Sequence, residues 1–153
     1  MSVVSRLQSE PFDAAAELDA FLKGRTEDGA VVSFVGLARA SATGGEAVKT
    51  LFLEHYPGMT EQSIHQIADD GAERFEVSDV LVVHRCGAIS PGEAIVFVAA
   101  ASRGRGEAFA AADYLMDRLK TEAAFWKRED GPDQSRWIEP TAADIQRRAR
   151  WSD

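Results

Sequence analysis

Apolar positions along this chain alternate between helical and extended periods. Behind Asp13, a suitable N-cap, Ala16, Leu18, Phe21 and Leu22 mark a helix running to about Lys23. Ile64, Ile67, Ala68, Gly71, Ala72 and Phe75 share one face of a second helix, from about Met59 to Phe75. Ala108, Ala112, Leu115, Met116 and Leu119 define a third from Glu107, which places Lys120 at or near a helix C-terminus. Between the helices lie β-branched and aromatic runs. Ala30 to Leu37 alternates little and predicts a strand buried on both faces. Ala47 to His55 alternates, and the two are expected to pair as a hairpin across the small, flexible loop Ala40 to Gly45. Val80 to Cys86 and Ala94 to Ala101 predict two more strands, joined by a turn around Pro91-Gly92. Ser2 to Pro11 is of mixed polarity and is given no element. Beyond the polar break Asp130 to Ser135, a terminal helix should carry Arg147, Arg148 and Arg150, with Trp137 and Trp151 tethering the tail by packing. The order of elements predicts an α+β fold.

Composition narrows the class. The 153 residues fit a single domain spanning 1–153, and 45% hydrophobic with 27% charged residues is ordinary for a soluble protein. No apolar run could span a bilayer and no secretory leader is visible, so no membrane association and a cytoplasmic location are expected. A net charge of −8 weighs against nucleic acid as a partner, because phosphate binding needs a basic surface. The single cysteine, Cys86, lies in an apolar run and reads as a small buried side chain rather than a nucleophile. His65 falls on the polar side of the second helix, and neither His55 nor His84 has a neighbour at metal-ligand spacing.

Basic residues stand out in so acidic a chain: Arg39, Arg103, Arg105, Arg118, Lys120, Lys127 and Arg128. Gathered by folding, they would suit a small phosphate or carboxylate; taken singly, each is equally a solvated surface charge. The loop Ser102 to Gly106 opens a helix, where free N–H groups favour an anion, yet it matches neither a Walker A loop nor a dinucleotide fingerprint. Lys120 and Lys127 bracket Ala123-Ala124-Phe125-Trp126. Apolar neighbours desolvate a lysine, lower its pKa and free the amine as a base or nucleophile. The structural alternative is a lysine complementing the helix dipole beside two aromatic core anchors.

Several strings are more specific. Asp28-Gly29-Ala30-Val31-Val32, Leu53-Glu54-His55-Tyr56-Pro57-Gly58-Met59-Thr60, Pro91-Gly92-Glu93, Met116-Asp117 and Leu119-Lys120-Thr121, with Phe125-Trp126-Lys127-Arg128-Glu129, together resemble the large, catalytic subunit of molybdopterin synthase, from about Asp28 to Trp137. The resemblance implies an α/β hammerhead-type fold with a mostly antiparallel sheet and flanking helices. It implies a homodimer of large subunits with a small ubiquitin-like subunit at each end, whose Gly-Gly thiocarboxylate tail enters a pocket of the large one. It implies a sulfurtransferase that builds the dithiolene of molybdopterin from cyclic pyranopterin monophosphate in molybdenum cofactor biosynthesis, with neither metal nor organic cofactor.

Carried over residue by residue, the resemblance puts substrate contacts at Leu37, Ala38 and Arg39, at Gly104 and Arg105, at Lys120, and at Lys127, Arg128 and Glu129. Lys120 matches the catalytic lysine, and Lys127 is expected to stabilise developing charge. The family carries a His-Arg pair where this chain has Gly104-Arg105, so an imidazole is missing. A weakened homologue that only binds the small subunit or a pterin is the competing reading. A lysine Schiff-base enzyme acting on an unrelated carbonyl compound would rest on Lys120 alone.

Overall fold

The computed structural model describes residues 2–152. Eight strands and four helices follow in the order β1 (Ser2–Gln8), α1 (Ala14–Leu22), β2 (Ala30–Leu37), β3 (Thr50–His55), α2 (Met59–Arg74), β4 (Asp79–Arg85), β5 (Gly87–Ile89), β6 (Ala94–Ser102), α3 (Arg105–Glu122), β7 (Phe125–Asp130), β8 (Ser135–Ile138) and α4 (Ala142–Ala149). They form two four-stranded sheets, β1-β4-β6-β2 and β5-β3-β7-β8. Every pairing is antiparallel except β1 with β4. The architecture is α+β, as its sequence predicts.

The centre of the first sheet is buried on both faces, because side chains alternate along each strand. Val80, Val82, Val96, Val98 and Ala100 meet Ile64, Ile67 and Ala68 of α2 and Ala111, Leu115 and Leu119 of α3. The opposite residues, Val83, Phe97, Ala99 and Ala101, pack against Phe21 of α1. Gly71 lets α2 approach α3 closely: a Cβ there would lie 2.7 Å from a methyl carbon of Leu115. Asp13 caps α1 by accepting hydrogen bonds from the N–H groups of Ala15 and Ala16.

Several local expectations differ from the structure, and β5, β7 and β8 fall in segments for which no strand was expected. The segment left without an element, Ser2 to Pro11, holds β1, whose apolar side chains Val3 and Leu7 pack on the α2–α3 core. Its alternating burial was masked by the exposed Val4 and the polar Ser5 and Arg6 between them. Strands β2 and β3 do not pair; they belong to different sheets, with β2 on β6 and β3 between β5 and β7. Strand β2 is also an edge strand, and Phe34, Val35 and Leu37 are exposed rather than buried. Continuous hydrophobicity cannot by itself distinguish a central strand from an edge strand. The loop after β2 is a tight hydrogen-bonded turn: Ala42 N–H donates to Glu46, Val48 N–H donates to Ala40, and Ala42 and Val48 are buried.

The strings Tyr56 to Thr60 and Ala123 to Phe125 have a joint explanation. The Thr60 hydroxyl at the start of α2 accepts from Tyr56 N–H at 2.8 Å and donates to the Ala124 carbonyl at 2.6 Å. The Ser63 hydroxyl accepts from Ala124 N–H at 3.1 Å. Both backbone groups of the α3–β7 link are thereby held by α2, which fixes the angle at which Phe125 and Lys127 enter β7 relative to Lys120. Among the described residues, no helix is long and apolar enough to cross a membrane.

Candidate active site

A cavity of about 600 Å³ lies where the C-terminal half of α3 meets the second sheet. Arg39, Lys120, Lys127 and Arg136 bring positive charge to its walls, while Leu51, Leu53, Ile95 and Phe125 supply apolar surface. Each cation arrives from a different element: Arg39 just past β2, Lys120 in the last turn of α3, Lys127 from β7 and Arg136 from β8. Alternation along β7 decides which neighbours join them. Phe125, Lys127 and Glu129 face the cavity, and Glu129 is paired there with Arg136 at 3.2 Å.

Arg128 takes the other face of β7. Its guanidinium pairs with Asp130 at 2.7 Å and lies over the rings of Phe52 and Trp137. Trp137 in turn meets Trp126 edge to face, and both indoles are half exposed. Arg118 is likewise occupied, bonded to Asp70, Tyr114 and Glu122. Leu37 is exposed and Ala38 is buried, its backbone bonded to Glu93 and Gly92. Gly104 and Arg105 lie at the opposite end of α3 from Lys120, about 22 Å away at 1.5 Å per residue, and do not line the cavity. One chain therefore brings together Arg39, Lys120, Lys127 and Glu129, but leaves Gly104, Arg105 and Arg128 elsewhere.

The electrostatics single out Lys127. Burial lowers its pKa, the charges of Lys120 and Arg39 lower it further, and Glu129 and Asp144 oppose them. A half-buried ammonium held among like charges is poised to meet an anion or to release its proton. Three further lining residues escaped the sequence reading. Arg136 directly follows the polar break, in a segment for which no strand was expected. Asp144 belongs to α4, which folds back over the cavity mouth with Pro140 and Thr141. His84 stands at the end of an otherwise apolar strand, and that isolated polar residue was the available signal.

Helix α4 has no buried residue and is held by charge. Arg147 and Arg150 pair with Asp113 and Asp117, Arg148 pairs with Glu122, and the Trp151 indole donates to Asp117 at 2.7 Å. Trp151 also packs edge to face against Phe75 and Tyr114, so it anchors the tail as expected. Cys86 is buried, and burial raises the pKa of its thiol, which suits a packed side chain.

The model of the MoaE protein family matches residues 7–122. The chain belongs to that family. The molybdopterin synthase catalytic subunit of Caulobacter vibrioides is 51% identical over 149 residues, covering 97% of both chains. A solved MoaE molybdopterin biosynthesis protein from Burkholderia ambifaria superposes with a TM-score of 0.81 at 40% identity, covering 100% of this chain and 99% of that one. The fold also recurs, at 15% identity and a TM-score of 0.72 over 88% of this chain and 89% of the other, in a complex of subunits 1 and 2 of the molybdopterin-converting factor from Helicobacter pylori. Membership makes this chain a molybdopterin synthase catalytic subunit, an enzyme of molybdenum cofactor biosynthesis.

Proposed function

We propose that the cavity between α3 and β7 receives the thiocarboxylate tail of a small ubiquitin-like subunit and there passes its sulfur to cyclic pyranopterin monophosphate. The observation that carries this reading is the convergence of Arg39, Lys120 and Lys127 on one partly apolar cavity. Among the described residues the Arg39 guanidinium hydrogen-bonds only Thr43, at 3.4 Å, which leaves donors to spare for the substrate phosphate. Lys127 offsets the charge of the incoming thiocarboxylate, since a carboxylate-like group entering a desolvated site needs a paired cation. The thiocarboxylate sulfur forms a bond to the pterin side-chain carbon beside Lys120 as that carbon's bond to oxygen breaks, and Lys120 supplies the proton that the departing oxygen takes; a second charged tail delivers the second sulfur in the same way. Water then cleaves the acyl–sulfur bond and returns the tail as a carboxylate.

The homodimer belongs to the same proposal. Arg105 lies too far along α3 to reach a ligand at Lys120 of its own chain, so a shared site requires a second copy to bring Arg105 in. Edge strand β2 with exposed Phe34, Val35 and Leu37, and exposed Phe109 on α3 nearby, offers the apolar surface such a pairing needs. Helix α4 covers part of the cavity and would yield to an entering tail.

Deletion of the last two residues of the small subunit tests the reading. Turnover should be abolished with the truncated partner while the full-length thiocarboxylate supports dithiolene formation; full activity with the truncated partner would exclude the tail as the sulfur donor.

A further inference from the structure

His84 is buried to 7% exposure at the end of β4, yet it borders the cavity that also holds Lys120 and Lys127. Two contacts fix its ring. It stacks on Phe125 with centroids 4.5 Å apart and planes inclined by 25°, and Nδ1 lies 2.8 Å from the backbone carbonyl of Arg85. A carbonyl oxygen can only accept, so Nδ1 carries the hydrogen and Nε2 keeps a lone pair. No described residue donates to Nε2.

The surroundings keep that lone pair free. Lys120 from α3, Lys127 from β7, Arg39 beyond β2 and Arg136 from β8 line the same cavity, with Glu139, Glu129 on β7 and Asp144 on α4 as its carboxylates. Burial and the charge of Lys120 hold the imidazole pKa down to about 4, against the opposing pull of the Arg85 carbonyl. A neutral ring of such low basicity is a poor proton carrier at pH 7 but a dependable acceptor. Lysines and arginines offer only donors, so the site's cations cannot recognise a donor on a ligand.

We propose that His84 is a further substrate-binding residue, whose Nε2 accepts a hydrogen bond from an N–H or O–H group of the ligand seated between Lys120 and Lys127. The inference rests on the reading of that cavity as the pterin site. Arg39 and the lysines fix the anionic groups of the ligand, and His84 fixes the orientation of its uncharged part by reading one donor.

Two substitutions separate this role from a structural one. His84→Asn retains a donor for the Arg85 carbonyl but places nothing at the Nε2 position, whereas His84→Gln reaches the Nε2 position with an acceptor and gives up the Arg85 bond. With cyclic pyranopterin monophosphate and the thiocarboxylated small subunit, Asn should raise KM for the pterin about tenfold, the equivalent of one hydrogen bond. Gln should stay within about threefold of wild type. The opposite order, Gln impaired and Asn normal, would reduce His84 to a support for the Arg85 carbonyl. A measurement on the unsubstituted chain needs neither variant to fold: the Nε2 nitrogen resonance of labelled His84 should move upfield on saturation with the pterin alone. Saturable pterin binding without that movement overturns the role of His84 and leaves the cavity assignment intact; failure of the pterin to bind at all overturns both.

Discussion

The ammonium of Lys120, at the end of α3, lowers the proton affinity of Lys127 across the cavity, adding to the effect of burial on β7. Two cations on separate elements are thus held against their mutual repulsion.

Replacing one of them should therefore stabilise the protein. Lys127→Met keeps the aliphatic bulk and removes the charge. Because the folded pKa of Lys127 lies below its unfolded value, the unfolded chain binds more protons between the two values and wild-type stability rises with pH there. The Met variant should melt higher than wild type at pH 7, with the gap closing as pH approaches the unfolded lysine value near 10.5. Thermal melts from pH 7 to 10.5 check this, and a variant that melts lower at pH 7 would contradict it.

His84 should make the fold acid-sensitive. Its folded pKa of about 4 lies below the ordinary 6.5, so unfolding takes up a proton between those values and stability falls with pH across that window. The loss approaches about 3 kcal/mol at pH 4, an order-of-magnitude figure at 1.36 kcal/mol per pH unit. Urea unfolding of wild type and His84→Phe between pH 7 and pH 4.5 should show wild type losing more stability than the variant.

The tail is latched through Asp117. Burial opposes ionisation, yet hydrogen bonds from Trp151, Arg150 and Arg147 hold the carboxyl below its usual range. Its stabilising contribution is present above the unfolded carboxylate value and lost as pH falls through the folded one. Asp117→Asn should weaken the tail attachment by about 1–3 kcal/mol. Limited proteolysis at pH 7 should then cut within residues 142–151 faster than in wild type while the core stays intact.

Gly104 can accept a side chain: its φ of −123° is ordinary, and a Cβ would meet nothing within 4 Å. Gly104→His should consequently fold normally. If the family's imidazole assists the pterin phosphate, the variant should lower KM for the pterin without altering affinity for the small subunit, which steady-state kinetics and titration of the two subunits can separate.

Much of this was legible in the sequence, because helix positions follow from spacing alone. Asp13, the α2 face and the run from Ala108 to Leu119 needed no tertiary information. Strands β2, β3, β4 and β6 were legible as strands, but their partners were not: β2 and β3 look like a hairpin because they are adjacent, and only the packing of the β6 residues shows that β2 pairs there instead. Lys120 and Lys127 were visible as a bracketed apolar segment. The orientation of Arg128 away from the cavity follows from the alternation of β7, which could not be applied before that segment was known to be a strand. His84 was hidden because a lone histidine in an apolar strand carries no motif, and its tautomer depends on a carbonyl whose direction only the fold sets.

Sulfur transfer beside Lys120 makes that ammonium indispensable to the chemical step. A single-turnover assay of Lys120→Ala, with saturating thiocarboxylated small subunit and cyclic pyranopterin monophosphate, tests it most directly, with circular dichroism and subunit titration confirming fold and partner binding. The expected result is a folded, partner-binding protein whose rate of dithiolene formation drops at least a hundredfold, roughly 2.7 kcal/mol of lost transition-state stabilisation. A Lys120→Ala protein that forms product at close to the wild-type rate would contradict it.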